Sequence, residues 1–276
     1  MPLSVTSSGN FRDHIFRGGI NYRFGAEPAY AAAGPLPMVY AAAPYQWTGF
    51  YAGGNVGLGI GTTRSGQTEF EPVVPPFSAM TTRDGVLNPF GVIGGAQAGY
   101  NWQGGRNWLV GFEADIQGSS QHDKACLSGE CSIQTDPGPV TNSIAFTIEQ
   151  RLEFFGTARG RIGFVNNNIL FYGTGGLAFG RVNETVAFNA SGPGTSNLHV
   201  ASTTTSNQVG WAAGGGIEAA LAERLTAKVE YLHLDLGSVT NALALVVAGQ
   251  PAEITTTTSR VRDDVVRAGF NYRIGP

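Results

Sequence analysis

Over residues 90–117, FGVIGGAQAGYNWQGGRNWLVGFEADIQ, apolar and polar side chains alternate on both sides of a Gly-Gly-Arg-Asn turn. Before the turn, Val92, Ala96, Ala98, Tyr100 and Trp102 share one parity, and Gln97, Asn101 and Gln103 hold the other. After it, Trp108, Val110, Phe112, Ala114 and Ile116 oppose Glu113, Asp115 and Gln117. Alternation with a period of two, interrupted by a tight turn, predicts a β-hairpin. Each arm exceeds the usual globular strand of roughly 5–6 residues and matches the roughly 9–11 of a tilted strand that crosses a bilayer. Tyr100, Trp102 and Trp108 gather beside the turn, where a lipid-facing barrel carries an interfacial girdle. The expectation is a transmembrane β-barrel.

Composition agrees. Charged residues make up 13% of the 276 residues, half of the roughly 25% of soluble domains. Mean hydropathy is −0.03, and no stretch approaches the 18 apolar residues of a membrane helix. A net charge of −3 argues against a nucleic-acid partner. The two cysteines, Cys126 and Cys131, are too few for a zinc site. They read better as a local disulfide in an oxidising compartment than as two free thiols. The opening residues MPLSVTSSGNFRD hold neither the basic nor the apolar region of a secretory signal peptide.

Residues 11–25, FRDHIFRGGINYRFG, repeat 261–275, VRDDVVRAGFNYRIG, at a constant offset of 250 with eight of fifteen positions identical. Residues 1–25 are therefore expected to be the closing strand of an upstream barrel copy, the alternative being a coincidental amphipathic strand. Residues 26–46, rich in Ala and Pro, read as an extended periplasmic linker. The domain proper is 47–276. Eight strands are predicted there, at about 47–61, 90–104, 108–117, 143–164, 169–182, 208–221, 225–236 and 259–274. Over the fourth, Ile144, Phe146, Ile148, Leu152, Phe154, Ala158, Ile162 and Phe164 are assigned one apolar face. Long connections at 62–89, 118–142, 183–207 and 237–258 alternate with three short turns. That is the plan of an all-β, eight-stranded, antiparallel up-and-down barrel with short periplasmic turns and four long extracellular loops.

If the apolar parity meets lipid, the other parity lines the lumen. It supplies Glu113, Asp115, Arg159, Arg161, Glu218, Lys228, Glu230 and Arg267, four acids and four bases expected in one broad layer. A lipid-facing Arg or Lys near mid-bilayer costs about 2–4 kcal/mol, whereas opposed charges inside can pair. Because eight strands leave an interior just wide enough for side chains, these residues read as the polar core of the barrel rather than as a wide pore. The expected aromatic girdle is Trp47, Tyr100, Trp102, Trp108, Trp211 and Tyr272. Catalysis is not expected. His233 lies near Asp235 and Ser238, but nearness in sequence does not make a triad, and an interfacial histidine is the ordinary reading. No glycine motif opens a helix, so dinucleotide binding is excluded, and neither metal nor cofactor is expected. The alternatives are a narrow channel for small solutes or ions and a soluble lipocalin-like binder, whose apolar parity would lie inside.

Seven segments occur in order and at spacing that closely resembles a known family: WTGFYAGGNVG (47–57), GGAQAGYNWQ (94–103), WLVGFEADIQGS (108–119), FGTARGRIGF (155–164), LFYGTGGLAFG (170–180), KVEYLHLDLG (228–237) and VVRAGFNYR (265–273). The chain resembles the opacity-type outer-membrane β-barrels, the outer-membrane immunogenic protein group of alphaproteobacterial porin-like proteins, over essentially all of 47–275. The resemblance implies an eight-stranded surface antigen of the Gram-negative outer membrane that serves envelope integrity and host contact. Its expected partners are outer-membrane lipid and lipopolysaccharide, the barrel-assembly machinery, and host or other surface ligands met through the loops. The chain departs from the family in its end, Arg273-Ile274-Gly275-Pro276 instead of a terminal Phe.

Overall fold

The computed structural model describes residues 45–71, 79–105, 107–126, 133–134, 143–191, 198–247 and 250–274. The expected remnant strand at 1–25, the linker up to residue 44 and Cys131 lie outside the described residues. In chain order the strands are β1 (Gly49–Glu71), β2 (Ala79–Leu87), β3 (Phe90–Gly104), β4 (Trp108–Ser119), β5 (His122–Cys126), β6 (Ile133–Gln134) and β7 (Ser143–Asn166). They continue with β8 (Ile169–Ser191), β9 (Leu198–Ala220), β10 (Leu225–Val247) and β11 (Gln250–Ile274). Antiparallel pairing runs β1–β3–β4–β7–β8–β9–β10–β11 and returns from β11 to β1, which closes a ring of eight strands.

Three short connections lie at one end of the ring. Gly105 (φ 65°) and Asn167 (φ 54°) take the left-handed conformation that tight hairpins require. The turn at 221–224 is closed by bonds from the Leu221 and Ala222 amides to the Leu225 carbonyl, at 2.9 and 3.1 Å. Strands β7 to β11 and β1 each run 23 to 25 residues. At about 3.4 Å per residue and about 40° tilt they climb roughly 60 Å, twice the roughly 25 Å of a lipid band. Much of what the sequence suggested as loop, at 62–89, 183–207 and 237–258, is therefore strand that continues beyond the membrane. There Thr, Asn, Ala and charged residues take the outward positions, as at Thr62, Arg64, Thr203, Asn207, Thr240 and Ala242, so the apolar alternation fades although the pairing does not.

The far half is built differently from the membrane half. β9 and β10 pair only from Thr226↔Ala220 to Asp235↔Trp211. Beyond that point each keeps pairing on its other side, β9 with β8 and β10 with β11. Gly237 (φ 81°) follows a register shift in β10 at the parting, a bulge that bends the strand away. β2 pairs with the far half of β1, and β5 and β6 pair with β7. The ring thus opens into two sheets, β2-β1-β11-β10 and β9-β8-β7-β5. Leu87 and Leu243 from the first pack against Phe146, Ile148, Val186 and Phe188 from the second, as in a β-sandwich. Across the parting, the Asn241 side-chain amide donates to the carbonyls of Ser202 (3.2 Å) and Glu184 (3.0 Å).

A second bulge, between Leu152 and Phe154, corrects the reading of β7 as a single apolar face. Phe146, Ile148 and Leu152 point inward and are buried. Past the bulge the parity flips, so Ile162 and Phe164 point outward and are exposed.

Candidate functional site

All eight predicted lumen charges lie inside the ring in one layer. Glu113 is its hub. It accepts from Arg159 (2.7 Å), Lys228 (2.8 Å) and the Tyr51 hydroxyl (2.8 Å), with Arg161 and Arg267 at 3.5 and 3.6 Å. Asp115 accepts from Arg159 and Arg267, both at 2.9 Å, and from the Thr157 hydroxyl at 2.8 Å. Glu230 meets Arg267 at 2.5 Å, Arg159 at 3.2 Å and the Tyr172 hydroxyl at 2.9 Å. Glu218 meets Arg161 at 2.8 Å, with Asn271 at 2.9 Å and Thr226 at 2.5 Å completing its shell. Every charge of this layer therefore has an opposite charge beside it, and each of the four acids also accepts from a neutral donor, the condition under which ions are tolerated out of water.

Glycines make room for this layer. A Cβ on Gly57, directly across from Arg267, would lie 2.7 Å from the Arg267 Cβ. Tyr51 and Tyr172 also sandwich Arg161, whose guanidinium carbon is 5.4 and 4.6 Å from their ring centroids. Tyr51 was given no role from the sequence, although it sits at an inward position of an alternating strand. Tyr172 had the same signal, an inward position in an alternating strand. Which charges pair was not readable, because it depends on register between strands far apart in sequence.

The layer is closed below and above. At the turn end, Trp47, Leu109, Val165, Leu170 and Tyr172 form an apolar plug. Trp47 is only 2% exposed, so it belongs to this plug and not to the girdle assigned to it. The segment preceding β1 folds back over the ring mouth, where the Trp47 amide donates to the Gln103 side chain and the Arg273 guanidinium donates to the Gln46 carbonyl. Above the charges, Ile93, Leu152, Phe155, Val182, Leu232, Leu234, Leu236, Val261 and Val265 fill the ring. Above these lies a polar storey of Thr63, Ser65, Gln67, Gln150, Glu184, Thr257 and Ser259, all buried, and the Phe146–Phe188 cluster caps it. Lys228, Arg267, Phe155 and Leu232 are inaccessible to water, at 2% exposure or less.

The outer surface has the opposite character. Phe50, Val56, Ile60, Val92, Phe112, Ile116, Ile162, Leu177, Val229, Val266 and Phe270 are 44–63% exposed around the ring, an apolar band of the kind lipid covers. Trp102, Trp108 and Tyr272 stand exposed at the turn end, and Tyr100 packs between Phe50 (4.6 Å) and Phe112 (6.3 Å). Trp211 lies at the opposite edge of the band, its ring 5.4 Å from that of His233. His233 is paired with Asp264 at 2.8 Å, while Asp235 meets Arg260 and Arg262. No triad forms from His233, Asp235 and Ser238. The rim arginines Arg64, Arg260 and Arg262, which line a hollow with Thr62, His233 and Asp264, were not singled out from the sequence. Cys126, at the end of β5, is disulfide-bonded.

Residues 29–273 match the family described as outer membrane protein beta-barrel domain. The 31 kDa outer-membrane immunogenic protein of Brucella melitensis biotype 1 is 32% identical over 256 residues, 90% of each chain. The 22 kDa outer membrane protein of Rhizobium leguminosarum bv. viciae is 28% identical over 192 residues, 70% of this chain and 65% of its own. Among solved structures, the outer membrane protein OprG of Pseudomonas aeruginosa aligns with a TM-score of 0.43 and 11% identity, over 83% of this chain and 99% of that one. The outer membrane protease OmpT of Escherichia coli aligns with a TM-score of 0.44 and 9% identity, over 81% and 97%.

Proposed function

The chain belongs to the outer membrane protein β-barrel domain family and resides in the Gram-negative outer membrane, and from that premise we propose that it is a non-enzymatic envelope protein. In this reading the membrane half is a sealed anchor with its turns in the periplasm. The two-sheet head is held at the cell surface as an antigen and contact module. The name of the Brucella relative, an outer-membrane immunogenic protein, supports the surface role. The observation that carries the reading is the filled interior: the hub Glu113 and its cations Lys228 and Arg267 are at most 2% exposed, with apolar storeys below and above.

A narrow channel would need a continuous wet path through those storeys. A soluble binder would need its apolar parity inside, and the exposed band places it outside. The test is refolding in detergent micelles, followed by unboiled gel mobility, circular dichroism and planar-bilayer recording. The expected result is a detergent-dependent β spectrum, a fast-migrating unboiled band and a flat current. Sustained conductance that changes when Arg159 or Glu113 is neutralised would replace this reading with the channel. An equal β-fold in plain buffer would replace it with the soluble binder.

A further inference from the structure

Around the rim where the apolar band ends, outward cations are not evenly matched. On β7 and β8, Arg181 faces Glu153 at 4.0 Å, one charge to one. On β1 and β11 three arginines stand together, and two of them, Arg260 and Arg262, share one carboxylate, Asp235. Arg64 lies directly across from Arg260 in the strand register, and Arg262 is two residues along the same face. Like charges directly opposite one another on a sheet face are unfavourable. Asp235 answers only part of this. Its Oδ2 accepts from an Arg260 terminal nitrogen (2.8 Å) and from the Arg262 Nε (3.2 Å), and its Oδ1 accepts from the Gly237 amide (3.1 Å). Asp235 is 5% exposed beneath the two guanidinium groups, so it props them side by side and leaves most of their N–H donors facing out. The second nearby carboxylate, Asp264, is taken up by the Tyr231 hydroxyl (2.6 Å) and His233 (2.8 Å). Arg64 has no ion-pair or hydrogen-bond partner among the described residues.

The position of the cluster identifies its counter-ion. Outward residues of β11 run Ile274, Tyr272, Phe270, Ala268, Val266, Asp264, Arg262, Arg260. At about 3.4 Å per residue and about 40° tilt, Asp264 stands roughly 25 Å above Ile274. The arginines therefore lie just beyond the hydrocarbon, at the depth of the outer-leaflet headgroups. Exposed Ile60, Val266, Tyr231 and Trp211 lie below them for acyl chains to cover. Guanidinium groups match phosphate oxygens in charge and in donor geometry.

We propose that the hollow formed by Thr62, Arg64, Arg260 and Arg262 binds the phosphorylated headgroup of an outer-leaflet glycolipid, with the acyl chains lying on the apolar band beneath. The proposal rests on the membrane reading above but is separable from it. The full chain, refolded in zwitterionic micelles and verified by its unboiled band, is titrated with a bis-phosphorylated lipid A and with the same lipid enzymatically dephosphorylated. Bound copies are counted by native mass spectrometry. The phosphorylated lipid is expected to bind at least about fivefold more tightly, the scale of one basic residue at an anionic membrane surface. Arg64→Gln is expected to lose about fivefold and Arg64→Glu more. Arg64 is the decisive position because it is exposed and unpaired, whereas removing Arg260 or Arg262 strips a partner from Asp235. Equal binding of the two lipids, undiminished binding by Arg64→Glu, or inorganic phosphate binding as tightly as the lipid would each overturn the proposal. Failure to form the fast-migrating band would count instead against the membrane reading.

Discussion

Replacing Glu184 with Gln should change how the head responds to pH. Glu184 points between the two sheets, fully buried, and neither carboxylate oxygen has a donor in hydrogen-bond geometry. Its surroundings are uncharged. Gln150 faces it from β7 and Thr204 from β9, Asn241 reaches its backbone carbonyl from β10, and Ser259, Thr257 and Gln67 face it from β11 and β1. Burial pushes its acidity constant from the ordinary 4.5 up to about 7. Such a rise corresponds to about 3 kcal/mol of differential interaction. In sign, the folded head holds a proton that the unfolded chain releases at about 4.5. Stability is thus complete at and below pH 4.5, falls as pH rises to about 7, and is level above. Gln at this position keeps the shape and cannot ionise. The stability of Glu184→Gln minus that of the wild type should therefore grow by about 3 kcal/mol between pH 4.5 and pH 8. Urea unfolding of both proteins in the same micelles, read by far-ultraviolet circular dichroism across that range, cancels the remaining carboxylates. A difference that stays constant with pH, or one that shrinks as pH rises, would refute the burial argument.

Three further outcomes follow from the storeys. Glu113→Gln takes the hub charge from Arg159 and Lys228 and should destabilise the barrel by about 3–5 kcal/mol in urea unfolding, and the double variant Glu113→Gln/Lys228→Met should recover part of that loss. Val229 is 59% exposed, midway along the outward residues that β10 carries in the apolar band, Leu225 to His233. Val229→Arg should cost about 2–4 kcal/mol, measured as the shift in the same unfolding curve. Phe188→Ala removes half of the Phe146–Phe188 contact, whose centroids lie 4.8 Å apart. It should cost up to about 3–5 kcal/mol, confined to the head, so limited proteolysis should cut beyond Glu184 while the unboiled band of the membrane half persists.

The sequence made the membrane half legible because lipid imposes one requirement on every outward position. Val92 to Trp102 and Trp108 to Ile116 alternate cleanly since each outward residue must be apolar while the inward parity meets the polar layer, as Glu113 meets Arg159 and Gln97 meets Asn271. The balance of four acids and four bases could be read for the same reason: charges on the inward parity of eight strands have only one another to meet. Their pairing could not. Arg267 and Asp115 are 152 residues apart and touch only because the ring closes. Trp47 was misplaced although the predicted first strand began with it, since its odd position shares the inward parity of Tyr51. It turns into the mouth of the ring because Leu109, Val165 and Leu170 leave an apolar floor there.

Beyond the membrane the requirement lapses, and with it the pattern. Thr203–Thr205 and Thr255–Thr258 carry no apolar alternation, because water accepts either face. Yet Thr256 pairs with Thr68 on one side and Ala242 on the other, and Thr203 pairs with Thr185. What organises the head is a small set of inward apolar residues, Leu87, Phe146, Ile148, Val186, Phe188 and Leu243, spread over four strands and visible only once the register is known. The parting of β9 from β10 is set by a single glycine. Gly237 takes a positive φ that other residues rarely adopt, and the same turn of chain presents its amide to Asp235, which in turn props Arg260 and Arg262. One bulge therefore opens the barrel into a sandwich and also builds the rim cluster, at the one height where the wall passes from lipid to water.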